Sequence, residues 1–219
     1  MTDSAANDDS VLVLGIGNIL WADEGFGVRA VQELHRQWRF PQCVTVLEGG
    51  TQGFNLLHHV QAAGRLIVFD AIDCGLTPGT LKVLTNDQVP RFLGTRKLSL
   101  HQTGFQDVLG VADLTGKLPS ELVLVGVQPE TLEDYGGSLR PVVKAKIQPA
   151  LDIALAYLRR WGVEPIERDV GLEAGEFLFP PGLDMVAYEA GRSAVDHPGT
   201  GALSDFPAAD HRRAKLPLN

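Results

Sequence analysis

Two adjacent carboxylates, Asp23 and Glu24, lie in a loop framed by glycines, Gly15-Ile16-Gly17-Asn18 before them and Gly25-Phe26-Gly27 after them. That loop follows the apolar run Val11-Leu12-Val13-Leu14, which reads as a strand buried on both faces. A second acid, Asp70, closes the apolar run Leu66-Ile67-Val68-Phe69. In a mostly parallel sheet the carboxyl ends of such strands fall on one edge, where open α/β proteins place their chemistry. Glu24 and Asp70 should therefore share a crevice. The segment Leu98-Ser99-Leu100-His101-Gln102-Thr103-Gly104, read as a loop before a helix, offers an imidazole to the same place. Two hard oxygen donors and one borderline nitrogen, with positions left for water or substrate, suit a divalent first-row cation such as Ni²⁺, Zn²⁺ or Mn²⁺.

Other readings compete at each of these residues. Gly15-Ile16-Gly17 begins like a dinucleotide fingerprint, and Glu48 ends the next strand. The fingerprint needs a third glycine where Leu20 stands, and a helix whose amides meet a pyrophosphate at once. Here two negative charges come before the helix, which repels an anion. Asp23 and Asp73 neighbour the candidate ligands and could replace them. Asp70 could instead cap the following turn, and His101 could be a solvated loop residue. His58 and His59 are adjacent on a helix and point about 100° apart, so they read as surface. His197 and His211 fall in a Gly- and Pro-rich tail. Cys74 lies four residues after Asp70, but it and Cys43 read most simply as small hydrophobes. There is no G-x-S-x-G elbow and no H-E-x-x-H, and no side chain is assigned as a nucleophile. Residue chemistry alone reaches an α/β protein with a cation site, and no reaction.

The elements that must position these groups alternate strand and helix. Strands are expected at 11–15, 44–48, 65–71, 80–84 and 121–127, with 80–84 antiparallel because so little chain precedes it. Helices are expected at 26–37, 55–60 with Thr51 as its cap, 105–112 and 141–161. Pro141 suits a first turn, and Pro149 should kink or break the long helix. The fold class is α/β: a three-layer α/β/α sandwich around a mostly parallel five-stranded sheet. Residues 1–10 read as a disordered N-terminal tail and 11–164 as the folded domain. Residues 165–219 read as an irregular or disordered C-terminal tail, and a chain ending near Glu164 is expected to keep nearly full stability. A net charge of −8 gives no footprint for nucleic acid or anionic membrane. No apolar run nears the ~20 residues of a membrane span. Two cysteines and a polar start without a signal peptide suit a cytoplasmic monomer.

At these residues the chain resembles the [NiFe]-hydrogenase maturation endopeptidases. The family pattern G-x-G-N-x-L-x-x-D-D/E-G-x-G is matched from Gly15 to Gly27. The family's G-G-T turn corresponds to Gly49-Gly50-Thr51, and its D-A to Asp70-Ala71. Its H-Q-x-G corresponds to His101-Gln102-Thr103-Gly104, and its G-V-x-P to Gly126-Val127-Gln128-Pro129. The likeness runs over residues 11–163. It implies an endopeptidase, grouped as aspartic-type, that removes a C-terminal peptide from the precursor of the hydrogenase large subunit after nickel insertion. It also implies that Glu24, Asp70 and His101 are the metal ligands and that the nickel ion arrives with the substrate. Gly49, Gly50 and Thr51 become candidates for substrate contact. A non-catalytic nickel-binding module that checks the metal loading of a partner is the alternative.

Overall fold

The computed structural model describes residues 7–94, 100–172, 176–178 and 180–191. Its elements are β1 (Asn7–Ile16), α1 (Phe26–Gln37), β2 (Trp38–Arg39), β3 (Val44–Gly50), α2 (Leu57–Ala62), β4 (Ala63–Ala71), β5 (Leu81–Thr85), α3 (Gln88–Gly94), α4 (Leu100–Leu114), β6 (Glu121–Val127), α5 (Pro141–Lys144), α6 (Ile147–Arg160), β7 (Ile166–Glu167) and α7 (Met185–Ala190). The main sheet runs β3-β1-β4-β6-β5. Its first four strands are parallel, and β5 pairs antiparallel with β6.

Alternation along the strands divides the core in two. Val11 and Val13 of β1, with Ile67 and Phe69 of β4, pack with residues of α1, α5 and α6. Leu12 and Leu14, with Leu66 and Val68, pack with residues of α2, α3 and α4. The three-layer α/β/α sandwich is thus the observed architecture. β4 lies between β1 and β6 and is buried over nearly its whole length, the pattern of a parallel strand covered on both faces.

The expected long helix is two helices, and Pro149 explains where they part. Its ring opposes the carbonyl four residues back, that of Ala145, and it has no N–H to offer it. The chain leaves the helix after Lys144 and re-enters at Ile147. The helix after β3 starts differently from expectation. Thr51 does not cap it; the chain enters through a 3-10 turn over Gly53–Leu56 with no side-chain cap. α3, with Pro90 in its first turn, is a helix that periodicity does not announce.

Both tail readings are corrected where the structure describes them. Of residues 1–10, 7–10 belong to β1, and the Ser10 hydroxyl donates to the Ala62 carbonyl at 3.0 Å and accepts from the Gly64 amide at 3.0 Å; residues 1–6 lie outside the described part. After Pro165, β7 pairs with β2. Arg168 then binds the Glu176 carboxylate at 3.1 Å, the His35 ring meets the Glu176 carbonyl at 2.7 Å, and Leu178 and Met185 pack on the core. Residues 192–219, with His197 and His211, lie outside the described part. A chain ending near Glu164 is therefore expected to unfold roughly 5 °C or more below the full chain, since it loses two packed apolar side chains and these polar contacts. Equal midpoints in a thermal melt would show that the segment contributes nothing.

Candidate active site

The first loop is fixed by its own backbone. Gly17 has φ +129°, and a Cβ there would lie 2.0 Å from the Glu24 carbonyl oxygen, so only glycine fits. The Asn18 amide donates to that same carbonyl at 3.2 Å, and the Glu24 amide donates to the Trp21 carbonyl at 2.9 Å. Glu24 is thereby tethered directly over the end of β1. The 3-10 turn Ala22–Gly25 then leads into α1, where Gly27 lets the helix rest on the sheet. A Cβ at Gly27 would sit 2.1 Å from the Phe69 carbonyl oxygen and 2.3 Å from that of Ile16.

These contacts bring the first loop to Asp70. Gly15 pairs with Phe69 across β1 and β4, so the first loop and Asp70, the next residue of β4, leave the sheet at the same edge. The 3-10 turn packs against β4. Asp70 itself is fully buried and opposite Gly126 of β6. Its place in the alternation puts it on the face of Leu66 and Val68, the face covered by α4. His101 lies in the first turn of α4, not in a loop before it; its imidazole is outside the described part. Among the described residues no three His, Cys, Asp or Glu side chains are gathered closely enough to hold a metal ion.

Asp23 is committed elsewhere. It is fully buried, and its carboxylate accepts from the amides of Glu130 (2.8 Å), Thr131 (3.0 Å) and Arg140 (2.7 Å). The acid next to Glu24 thus anchors the loop 128–140 to the site. The same loop is bridged to the first by Trp21 and Tyr135, whose rings meet edge-on at 5.2 Å, and by the Gly136 amide on the Leu20 carbonyl at 2.7 Å.

Sequence reasoning missed two residues of this edge. Gln128, 7% exposed, accepts from the amides of Cys74 (2.7 Å) and Leu76 (3.1 Å) and donates to Asp73 Oδ1 at 3.0 Å. It holds the turn that follows Asp70, engages Asp73, and leaves Cys74 packed against the core as a small hydrophobe. Glu48 was weighed only as a ribose acid, although the strand-end rule that selects Asp70 selects it too. It lines a cleft of about 220 Å³ with Gly17, Asn18, Ile19, Gly50 and Thr51, and burial raises its carboxyl above the usual value. Gly50 and Thr51 thus face this cleft. Gly49 packs beneath it, where a Cβ would meet Leu14 at 2.8 Å. His58 and His59 lie away on α2 with their rings 3.8 Å apart.

The fold and sequence are shared with known endopeptidases. The sequence profile of the hydrogenase maturation protease family matches residues 28–157. The hydrogenase expression/formation protein HoxM of Azotobacter vinelandii is 56% identical over 85% of this chain and 89% of its own. The hydrogenase 2 maturation protease of Escherichia coli is 47% identical over 73% of this chain and 96% of its own. Among solved structures, the E. coli hydrogenase maturating endopeptidase HybD aligns with a TM-score of 0.69 and 46% identity, over 73% of this chain and 98% of its own. The chain belongs to the hydrogenase maturation protease family, and it is a peptidase by class. The dinucleotide reading falls with that finding. No helix among the described residues is long and apolar enough to cross a membrane.

Proposed function

We propose that this protein removes the C-terminal extension of the [NiFe]-hydrogenase large subunit precursor after nickel has been inserted. It reads the substrate's nickel through Glu24, Asp70 and His101 and acts as a monomer. The nickel ion belongs to the substrate. The observation that supports the reading is the bond of the Asn18 amide to the Glu24 carbonyl, which holds the first loop at the end of β1, on the sheet edge where Asp70 ends the apolar run of the adjacent strand. The first turn of α4 brings His101 to the face of β4 where Asp70 lies. Two carboxylates and an imidazole on a rigid edge match the donor preferences of Ni²⁺. Asp23 and Gln128 contribute by holding the two loops that carry the acids. Gly50, Thr51 and the cleft beneath Glu48 lie alongside, placed to take the extended peptide.

The purified protein, incubated with nickel-loaded precursor and nothing else, is expected to release one C-terminal peptide, read as a mass loss in the intact subunit. A precursor that keeps its full mass would overturn the reading in favour of a non-catalytic module that checks metal loading.

A further inference from the structure

The segment 181–191, which ends in α7, meets the rest of the protein on two sides, and both lead to the first loop. On one side is α1. Arg29 lies four residues past Gly25 and is 3% exposed; it donates to Gln32 Oε1 at 3.0 Å and to the Leu183 carbonyl at 2.5 Å. The Tyr188 ring lies 5.3 Å from its guanidinium carbon. Burial lowers the pKa of that guanidinium, while the nearby Tyr188, Asp184 and Glu189 pull it up. On the other side are residues 138–144. Glu189 accepts from Ser138 Oγ at 2.7 Å and from Lys144 Nζ at 2.8 and 2.9 Å. Burial opposes the charge on Glu189, but these bonds and the Lys144 and Arg29 charges outweigh it and hold its pKa below the usual value.

α7 has six residues and buries none of them fully, and Met185 is its contact with the core, so little apolar area docks it. A helix of that length is not stable by itself. Its polar contacts hold it, and the Lys144–Glu189 pair, 40% and 34% exposed, contributes little to global stability. What the pair does fix is position. Ser138 lies two residues before Arg140, whose amide binds Asp23, and Asp23 adjoins Glu24.

We propose that the C-terminal strap is a positioning element of the active site, with Glu189 as its positioning residue. It holds the loop 128–140 in the conformation whose amides grip Asp23, and so fixes Glu24 at the sheet edge. The strap lies beyond residue 157, the last residue matched by the family profile. The effect on processing rests on the role given to Glu24 above.

Glu189→Ala and Glu189→Gln in the full chain test this with two readouts. One is hydrogen exchange at the amides of Glu130, Thr131 and Arg140; the other is the single-turnover rate on nickel-loaded precursor. Glu189→Ala is expected to speed exchange at these three amides about tenfold while those of β1, β4 and β6 keep their rates. It should also slow turnover about tenfold with KM unchanged, since a small misplacement of a reacting group is costly. Glu189→Gln, which still accepts from Ser138, should recover most of both. Unchanged exchange at the three amides overturns the proposal, and so does faster exchange with wild-type turnover. Failure of the nickel reading would show separately, as wild-type processing by Glu24→Gln, and the exchange result would still decide whether the strap holds the loop.

Discussion

Glu24→Gln is expected to lower the processing rate of a nickel-loaded precursor by about a hundredfold or more while leaving thermal unfolding almost unchanged. The substitution is nearly isosteric and removes only the charge that a cation needs. Glu24 is partly exposed, and its backbone is bonded to Asn18 and Trp21. The glutamine side chain should occupy the same space, and the backbone bonds of the loop stay in place. His101→Ala should act in the same direction, because α4 is held in the core by Phe105, Val108 and Leu109. Single-turnover assays on equal amounts of each variant, with melting curves beside them, measure both quantities. A Glu24→Gln protein that processes at the wild-type rate would remove that carboxylate from the chemistry.

Asp23→Ala is expected to do the reverse in kind and to be the most destabilising single change at this edge. It leaves three backbone donors, those of Glu130, Thr131 and Arg140, without the buried carboxylate that satisfies them. A stranded buried donor costs on the order of 1–3 kcal/mol, with partial relief where water enters. The sum is roughly 3–5 kcal/mol, or about 10 °C in the midpoint for a chain of this size. Asp23→Asn should fall between, because its amide nitrogen must face one of the donors that an oxygen now accepts. From sequence, Asp23 looks like the holder of its own turn, with a modest contribution to stability. The structure makes it the anchor of a loop more than a hundred residues away, and the expected loss grows accordingly. Chemical denaturation that gives Asp23→Ala wild-type stability would show that these three bonds are replaced without cost.

The legible part of the fold is the part written in unbroken apolar runs. β1, β4 and β6 are such runs, ended by glycine, aspartate and Gln128-Pro129, and their parallel order puts the carboxyl ends of β1 and β4 on one edge. Pro149 was legible as an interruption, since it removes one named hydrogen bond. α4 was partly hidden because Gly104 reads as a helix breaker. In the structure the helix continues through it, in ordinary contact with Gly53, and takes in His101. The tail was hidden for another reason. Its attachments are single polar contacts between distant residues, such as Arg29 to Leu183 and Ser138 to Glu189, and no local period records them. Gln128 and Asp23 belong to the same class, since each binds backbone amides of a remote loop.

On the function proposed above, this peptidase acts on a substrate because that substrate carries nickel. Its most direct test offers the purified protein two samples of one hydrogenase precursor, nickel-loaded and metal-free, at equal concentration, and follows the intact mass of each over time. The loaded precursor should lose its C-terminal peptide while the metal-free precursor stays whole, and loading the latter with nickel should restore cleavage. Equal rates on the two samples would contradict the account and mean that the peptide sequence, not the metal, is what the site reads.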